Sequence, residues 1–393
     1  MQYDKHWEEL YFPDFSPYQS LDPKKGINLV SADPFAPDCE LPEAVVKAYQ
    51  DVIVEGRGLH YAEGNGDAAL HQTIQKKLKE FNGIEVDTEK ELLITAGSAF
   101  GLYLSIRMCI CPNRGDEVIN FDPTFAENIN DVKVMGAKNV FCSVYPEDDF
   151  QVRGENLEKC ITENTRVIIV TNPGNPTGVV YTRETLEMIA QIACKHDLMV
   201  VCDQCFERNV YDGREYVSMV TLPGMRERTL NVFGTSKDYG LSGLRLGYVV
   251  GPEKLISMMK IATSNMVGTV PAAAQYAVIA AMENSEYIEK WNERFDRRRK
   301  LGYEILNQVP GVVCKLPHGG YFHWVDIHRL GSSQEIVKYL VEEAQVAVGG
   351  GHWFGENGEG HIRIMYCRPK SDEIYKIAIE RIAEALKKLK VNE

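Results

Sequence analysis

The stretch FGTSKDYGLSGLRLGYVVGP, residues 233–252, places a lysine directly after two hydroxyl residues. Lys237 follows Thr235 and Ser236, and Arg245 comes eight positions later. A lysine in a loop is usually a solvated charge. The preceding run TLNVF is typical of a strand, so the lysine would lie at a strand's carboxyl end. Ligands of open parallel sheets bind beyond that end, which makes Lys237 a candidate functional residue.

Strand-like runs of this kind alternate with segments of helical periodicity from about Gly66 onward. We predict strands at LLIT, EVINF, VIIVT, LMVVC and TLNVF (92–95, 117–121, 167–171, 198–202 and 229–233). Helices are predicted at 183–196 and at 69–81, where one stripe carries Leu70, Ile74, Leu78 and Phe81. Several strands are apolar on both faces, as in a sheet covered by helices. The pattern predicts an α/β fold with a mostly parallel sheet sandwiched by helices.

A domain boundary is expected near Asn284, where a long charged segment of helical character begins. Beyond it, GYFHWVDI and HIRIMYC are predicted strands, and residues 371–389 are a predicted final helix. We expect three parts: an N-terminal arm that contributes to the smaller domain (1–48), a large ligand-binding domain (49–284) and a small α+β domain (285–393).

The composition fits a soluble globular protein and restricts its partners. The 393 residues are 44% hydrophobic and 25% charged, and the formal net charge is −13. Nucleic acids and anionic membranes bind basic surfaces, so neither is expected as a main partner. The sequence contains no apolar run of about 18 residues that could span a membrane. MQYDKHWEELYF lacks the basic start and apolar centre of an export signal, so we expect a cytoplasmic protein.

Ten cysteines are too few for a disulfide scaffold in a chain of this length. Most lie inside apolar runs such as MCIC and MVVC, where a free thiol packs as a small hydrophobic group. Cys202 and Cys205 form a CxxC pair. No second pair with zinc spacing accompanies it, and Cys202 ends a strand-like run. We therefore predict no metal site.

Polar groups also follow three other predicted strands. After LLIT, AGSAFGL opens a helix at Gly97, and the free N–H groups of Ser98 and Ala99 suit a phosphate. After VIIVT, NPGNPTG holds the Asn175 amide between two prolines. After LMVVC, Asp203 would be an unpaired buried charge unless it faces a cation.

Together with Lys237, Ser236 and Arg245, these groups fit one ligand, pyridoxal 5′-phosphate. Its phosphate suits a hydroxyl, a guanidinium and a helix N-terminus. Its aldehyde condenses with a lysine, its phenolic oxygen takes a donor, and its ring nitrogen needs an acid partner.

Six ordered motifs then extend over nearly the whole chain: YAEGNGDAAL, TAGSAFGL, NPGNPTG, DQCF, SKDYGLSGLRLGY and HIRIMYC. In order and spacing they resemble the fold-type I, pyridoxal-phosphate-dependent aminotransferases of class I/II, the aspartate aminotransferase-like family. The resemblance implies a large cofactor-binding domain, a smaller domain built from both chain ends, and a homodimer with shared active sites.

For the cofactor ring, the resemblance implies that Lys237 is the Schiff-base lysine and the base that moves a proton between the substrate Cα and the cofactor C4′. Asp203 would keep the pyridine nitrogen protonated. Asn175 would donate to the phenolic oxygen, and Phe125 in DPTF would stack on the ring. A plain core position is the alternative for Phe125.

For the phosphate, the resemblance implies a site made of Gly97, Ser98, Ala99, Ser236 and Arg245. Tyr61 would reach in from the neighbouring subunit, or would pack at a subunit boundary. Arg363 in HIRIMYC would bind the substrate α-carboxylate through two hydrogen bonds, with Asn175 beside it.

Several positions depart from the family pattern. Phe206 in DQCF replaces a tyrosine whose hydroxyl donates to the phenolic oxygen. Such a hydrogen bond is worth about 1.5–3 kcal/mol, so its loss should raise the Schiff-base pKa by roughly one to two units unless another donor compensates. Gly234 replaces a phosphate-binding hydroxyl, and His71 replaces an arginine. His352 and Trp353 either shape the substrate pocket or fill a joint between subdomains.

The main prediction is transamination between an L-amino acid and a 2-oxo acid, with ping-pong kinetics. Because Phe206 departs from the pattern, another pyridoxal enzyme on the same fold, a β-lyase, decarboxylase or racemase, is the alternative. A non-catalytic regulator is disfavoured, since the roughly sixty residues before Tyr61 contain no helix-turn-helix pattern and no basic arm.

The sequence also bears on the substrate. Dicarboxylate-specific relatives have a second carboxylate clamp in the region that corresponds to TSNMVGTVPAAAQ (263–275), and this segment contains no arginine. We therefore expect a neutral or aromatic amino acid. The N-terminal segment LYFPDFSPY (10–18) either closes over the pocket or docks on the partner subunit.

Overall fold

The computed structural model describes residues 7–8, 10, 13–38 and 40–392, and it is organised around a seven-stranded sheet. The first eight strands are β1 (Ile27–Asn28), β2 (Leu92–Thr95), β3 (Glu117–Asp122), β4 (Lys138–Ser143), β5 (Thr165–Thr171), β6 (Met199–Asp203), β7 (Thr229–Gly234) and β8 (Gly247–Val250). All but β1 form the central sheet, in the order β2-β8-β7-β6-β5-β3-β4. The strands β3 to β7 pair in parallel, whereas β8 is antiparallel to β2 and β7.

The register of this sheet brings three predicted strand ends side by side. Thr171 at the end of β5 pairs with Asp203 at the end of β6, and Asp203 pairs with Val232 on β7. The apolar runs that predicted β5, β6 and β7 are almost entirely buried. The strands β4 and β8 were not predicted, because β4 is a partly exposed edge strand of mixed sequence and β8 has four residues after a glycine-rich loop.

Helices cover both faces of the sheet. They are α1 (Glu43–Val54), α2 (Ala68–Asn82), α3 (Thr88–Glu91), α4 (Gly97–Cys109), α5 (Ala126–Val134), α6 (Gly154–Lys159), α7 (Arg183–Lys195), α8 (Glu253–Met266) and α9 (Ala272–Glu283). The side chain of Thr182 caps the start of α7, and Asp67 caps α2 in the same way. The predicted α2 stripe is buried except for Phe81, which is 41% exposed. The predicted α/β fold class is confirmed.

The C-terminal part of the chain has its own antiparallel sheet. Its elements are α10 (Glu286–Leu306), β9 (Val313–Cys314), β10 (Phe322–Asp326), α11 (Ser333–Ala344), β11 (Val346–Ala347), β12 (Gly349–Gly350), β13 (His361–Met365) and α12 (Asp372–Leu386). Four strands form the sheet, in the order β12-β13-β10-β9. The strand β1 pairs in parallel with β11, so residues 27–28 of the predicted N-terminal arm join this part. The division at residues 48 and 284 stays a prediction.

Three further expectations concern membrane spans, export and the cysteines. No helix in the described part of the chain is both long and apolar enough to cross a membrane. Most of MQYDKHWEELYF, on which the expectation about export depends, lies outside the described residues. The nine described cysteines are free thiols, and both Cys202 and Cys205 are buried.

Candidate active site

A cavity of about 680 Å³ lies at the carboxyl ends of β5, β6 and β7. Ten of the predicted site residues line it: Ser98, Ala99, Phe125, Asn175, Asp203, Phe206, Ser236, Lys237, Arg245 and Arg363. Gly97 lies directly beside Arg245, because a Cβ added to the glycine would come within 2.6 Å of an arginine Nη atom. Tyr61 is 94% exposed and does not line the cavity of its own chain.

Lys237 follows β7 and is half-buried in the wall of the cavity. Its Nζ donates to the backbone carbonyl of Ala32 at 2.6 Å. Burial lowers the pKa of this amine below its ordinary value. A lowered pKa increases the neutral fraction, and the neutral amine is the form that attacks a carbonyl carbon.

Asp203 ends β6 and is 4% exposed. Its Oδ1 accepts a hydrogen bond from the backbone N–H of Cys205 at 3.1 Å. Burial raises the pKa of the carboxyl group, while the charge of Lys237 acts in the opposite direction. Asp203 forms no ion pair with another described residue within 4.0 Å, so a cationic ligand group in the cavity would meet an unmatched carboxylate.

The start of α4 forms an anion cradle beside Arg245. The N-cap residue Ala96 makes no side-chain hydrogen bond to the helix, so the first-turn N–H groups of Ser98 and Ala99 have no side-chain cap. Both residues line the cavity. Arg245 Nη1 lies 3.4 Å from Ser236 Oγ. A Cβ on Gly247 would come within 2.7 Å of Ser98 N and would displace this turn. The set fits a phosphate group.

Gly234, where the resemblance predicts a hydroxyl residue, has close neighbours on the side where a Cβ would lie. A Cβ at Gly234 would lie 3.0 Å from Cys205 Sγ and 3.2 Å from Ser98 Oγ. A side chain at this position would therefore make tight contacts with the Cys205 thiol and the Ser98 hydroxyl. Thr235, by contrast, donates its hydroxyl to the Leu246 carbonyl at 2.8 Å and serves the loop.

Arg363 extends from β13 to the opposite side of the cavity and is 8% exposed. Its Nη1 donates to Asn175 Oδ1 at 2.8 Å, and its guanidinium lies 4.5 Å from the centre of the Phe354 ring. Burial lowers the pKa of Arg363 to about 10, so the group stays cationic at neutral pH. Its Nε is buried and has no hydrogen-bond partner among the described residues. The geometry leaves donors available for a carboxylate.

The aromatic residues of the site differ in their packing. Phe206 is 4% exposed and meets the rings of Tyr321 and Phe322 edge-on, at centroid distances of 5.1 and 5.5 Å. Phe125 is partly exposed and precedes α5 on the cavity wall. Its exposure argues against a plain core position.

Several lining residues were not predicted to be functional. Glu127, in the first turn of α5, brings a second carboxylate besides Asp203 to the cavity. Burial raises its pKa, and Lys237 opposes that shift. Ala32 supplies the carbonyl that holds Lys237, yet its sequence LVSADP has no feature that would have singled it out.

The N-terminal segment lies over the cavity of its own chain in the described residues. Pro13 and Phe15 line the cavity, and the Phe15 ring lies 5.7 Å from that of Trp353. Tyr18 Oη donates to the Val348 carbonyl at 2.6 Å. Trp353 lines the same cavity, so it shapes the pocket. His71 does not line the cavity; it is buried, with Nε2 2.9 Å from the Asn65 carbonyl. Residues 11 and 12 lie outside the described residues.

Comparison with known proteins agrees with this geometry. The family described as aminotransferase class I and II matches residues 24–382. The chain is 32% identical to "Aromatic-amino-acid aminotransferase 2" of Thermococcus litoralis and 33% identical to "Aspartate aminotransferase" of Pyrococcus abyssi, in each case over 90% of this chain and 91% of that protein. The crystal structure of an aromatic aminotransferase from Pyrococcus horikoshii superposes with a TM-score of 0.87 at 31% identity, covering 95% of this chain and 98% of that one. This chain belongs to the class I and II aminotransferase family, whose members act with pyridoxal 5′-phosphate.

Proposed function

We propose that this aminotransferase takes the amino group from a neutral or aromatic L-amino acid and passes it to a 2-oxo acid at the cavity around Lys237. The observation that carries the proposal is that Lys237, the anion cradle and Arg363 line one cavity. When bound, pyridoxal 5′-phosphate supplies an aldehyde that takes up the amino group and a ring that accepts electron density from the substrate Cα.

The phosphate would be held by the N–H groups of Ser98 and Ala99, by the Ser236 hydroxyl and by Arg245, next to the turn at Gly97. The Asp203 carboxylate would hold a proton on the ring nitrogen. The absence of a competing ion pair to Asp203 among the described residues supports this role, because a buried carboxylate without a cation is costly. Phe125 would cover one face of the ring.

Lys237 would bind the cofactor covalently through Nζ and would later move a proton to and from the substrate Cα. Both roles need an amine that is neutral for part of the time, and the lowered pKa of Lys237 supports them. The 2.6 Å hydrogen bond to Ala32 orients Nζ at the cavity wall, and a backbone carbonyl does not fix the positive charge as a carboxylate would.

Arg363 would bind the α-carboxylate of the substrate through two parallel hydrogen bonds. The Oδ1 of Asn175 already accepts from Arg363, which leaves the Asn175 Nδ2 as a donor for the phenolic oxygen. Phe206 cannot donate to that oxygen. We therefore expect the Schiff-base nitrogen between Lys237 and the bound cofactor to stay protonated at neutral pH, so the holoenzyme should be yellow.

The charges of the cavity support a substrate without a second carboxylate. Its lining cations are Lys237, Arg245 and Arg363, and each already has a proposed partner. Glu127 adds a negative charge to the wall, and Phe15, Trp353 and Phe354 add apolar surface. A dicarboxylic substrate would meet no spare cation among these lining residues, whereas an aromatic side chain would meet apolar surface.

A spectral screen tests reaction and substrate together. The purified holoenzyme is mixed with single amino acids, and the visible cofactor band, the oxo acid and free ammonia are measured. Aromatic and large neutral amino acids should bleach the band and release oxo acid without ammonia, and aspartate should react more slowly. Ammonia release would favour the β-lyase alternative. A Glu127→Gln variant with an unchanged preference among amino acids would show that this carboxylate does not act on the substrate.

We further propose a homodimer in which Tyr61 reaches the partner's cavity. Apolar side chains are strongly exposed at the end of α1, in the loop after it and on α8: Val54 (85%), Leu59 (74%), Tyr61 (94%), Ile261 (67%) and Met266 (57%). A groove lined by both Asn65 and Ile261 joins the Tyr61 loop to α8. Exposed apolar patches of this kind mark protein interfaces.

Subunit mixing tests the proposed dimer. Chains with Lys237→Ala and chains with Tyr61→Ala should regain activity on mixing, because each heterodimer would contain one site with both native residues. No recovery of activity after confirmed subunit exchange would mean that Tyr61 acts in its own chain's site or in neither site.

The cytoplasmic location also stays a proposal, since it rests on the sequence MQYDKHWEELYF (1–12).

A further inference from the structure

One carboxylate and two imidazoles meet on the C-terminal sheet, and none of the three side chains lines the cavity. Asp326 on β10 and His361 on β13 are direct cross-strand partners, and His328 follows two residues after Asp326. Their potential ligand atoms all lie within 4.8 Å of one another. The two imidazole rings meet edge to face, with centroids 4.9 Å apart and an interplanar angle of 87°.

The surroundings of the ring nitrogens indicate which atom of each histidine can face a common ion. His328 Nδ1 lies 2.8 Å from Asp326 Oδ1, and His361 Nδ1 lies 3.2 Å from the Glu359 carbonyl. His361 Nδ1 faces an acceptor, so it is the protonated nitrogen and Nε2 carries the lone pair. Histidines that bind metals in proteins commonly donate their second nitrogen to a backbone carbonyl in this way. His328 Nδ1 and Asp326 Oδ1 face each other, so one ion binds both atoms when it replaces the proton between them.

Packing fixes the His361 ring and sets the approach of His328 to it. The His361 ring stacks on the Trp324 indole, with centroids 4.8 Å apart and an interplanar angle of 5°. The His328 ring lies against Gly360, whose φ is +74°, and a Cβ at that glycine would come within 2.5 Å of the ring. A glycine is therefore required for His328 to approach His361.

We propose that Asp326, His328 and His361 form a binding site for a divalent transition-metal ion of the Zn²⁺ type, separate from the transamination site. Two imidazoles and one carboxylate suit such ions, with water as a further ligand, whereas Ca²⁺ and Mg²⁺ prefer oxygen ligands. Ligand atoms around tetrahedral Zn²⁺ are roughly 3.3 Å apart. The His328 side chain is 56% exposed and can move the remaining distance.

The bound ion links β10 to β13, the strand that carries Arg363. These residues carry no local sequence signal of the kind that cysteine pairs at zinc spacing give, and no metal site was predicted. These ligands are instead brought together by the register of two strands that are far apart in sequence.

Zinc titration of the metal-stripped holoenzyme tests the site. Calorimetry with Zn²⁺ alone should give one equivalent that is lost, or weakened at least about tenfold, in His328→Asn. His328 is exposed, so this variant should fold. His196→Asn is the matched control, because His196 Nε2 also lies 2.8 Å from a carboxylate, Glu158, without a third ligand. The control should retain the equivalent, and equal Zn²⁺ binding by the wild type and His328→Asn would overturn the proposal.

Cu²⁺ as a second probe identifies the ligands directly. Electron paramagnetic resonance of the Cu²⁺-loaded protein should show coupling to two imidazole nitrogens. His328→Asn should reduce this to one nitrogen, and Asp326→Asn should weaken binding while both nitrogens remain. A spectrum dominated by sulfur ligands, or one unchanged in both variants, would contradict the assignment.

Discussion

Lys77 and Lys237 are both lysines whose pKa is lowered by burial, and they have opposite surroundings. Lys77 forms an ion pair with the buried Glu207 and donates to Asn82 Oδ1 at 2.9 Å. Its Nζ also lies 4.5 Å from the centre of the Phe233 ring. Lys237 donates to a backbone carbonyl and faces a cavity. Burial alone therefore does not make a lysine reactive, because a reactive amine also needs open space and no carboxylate that fixes its charge.

The two lysines are connected through the chain. Asp238, the residue after Lys237, is 2% exposed, and its pKa is raised by burial and by the charge of Glu207. Its Oδ2 accepts from the Arg208 N–H at 3.3 Å, and the charge of Lys77 acts on the same carboxyl group. The charges of the Lys77–Glu207 pair therefore act on the residue next to Lys237.

Replacing Lys237 should have the largest effect on activity. Lys237→Ala removes both the covalent attachment and the proton carrier, so kcat should fall at least roughly 10⁴-fold. Because Lys237 forms no ion pair with a carboxylate of the described residues, the free energy of unfolding of the cofactor-free protein should change by less than about 1 kcal/mol. Steady-state kinetics and urea denaturation measure the two quantities, and substantial turnover by this variant would remove the distinction between the lysines.

Replacing Lys77 should show the reverse pattern. Lys77→Ala leaves Glu207 buried without its cation, so the free energy of unfolding should fall by about 3–5 kcal/mol. Lys79→Ala, on the same helix but with a 67% exposed side chain, is the control and should stay within about 0.5 kcal/mol. A Lys77 variant of normal stability that has lost all turnover would assign Lys77 to the reaction instead.

Arg363→Lys should have a smaller effect, confined to substrate binding. A lysine keeps the charge but loses the two parallel hydrogen bonds, which are worth about 1.5–3 kcal/mol. The kcat/KM for the amino acid should fall about 10- to 150-fold, mainly through KM. Arg183→Lys, an exposed arginine paired with Glu215, serves as the control. An unchanged KM would mean that another group binds the α-carboxylate.

Phe206→Tyr should have the smallest effect. The added hydroxyl would donate to the phenolic oxygen and should lower the pKa of the Schiff base by roughly one to two units. An absorbance titration of the two holoenzymes measures the shift. A Schiff-base midpoint below about pH 7 in the wild type, or equal midpoints in the two proteins, would show that another donor already compensates for the missing tyrosine.

Most of the cavity could be predicted from the sequence because strand ends can be read locally. Asp203 and Lys237 each follow an apolar run, and parallel pairing brings the ends of such runs together. Glu127 could not be found in this way, since nothing in α5 indicates which of its faces lines the cavity. The contact between Cys205 and Gly234 and the cross-strand pair of Asp326 and His361 depend on tertiary register, which no local pattern contains.

Borohydride reduction of the holoenzyme, followed by peptide mapping, tests the contrast between the lysines most directly. Reduction makes the bond between the cofactor and its lysine permanent, so the modified peptide identifies the amine. We predict a phosphopyridoxyl group on Lys237 in nearly every chain and none on Lys77. A label on any other lysine, or complete loss of the cofactor on denaturation after reduction, would contradict the account.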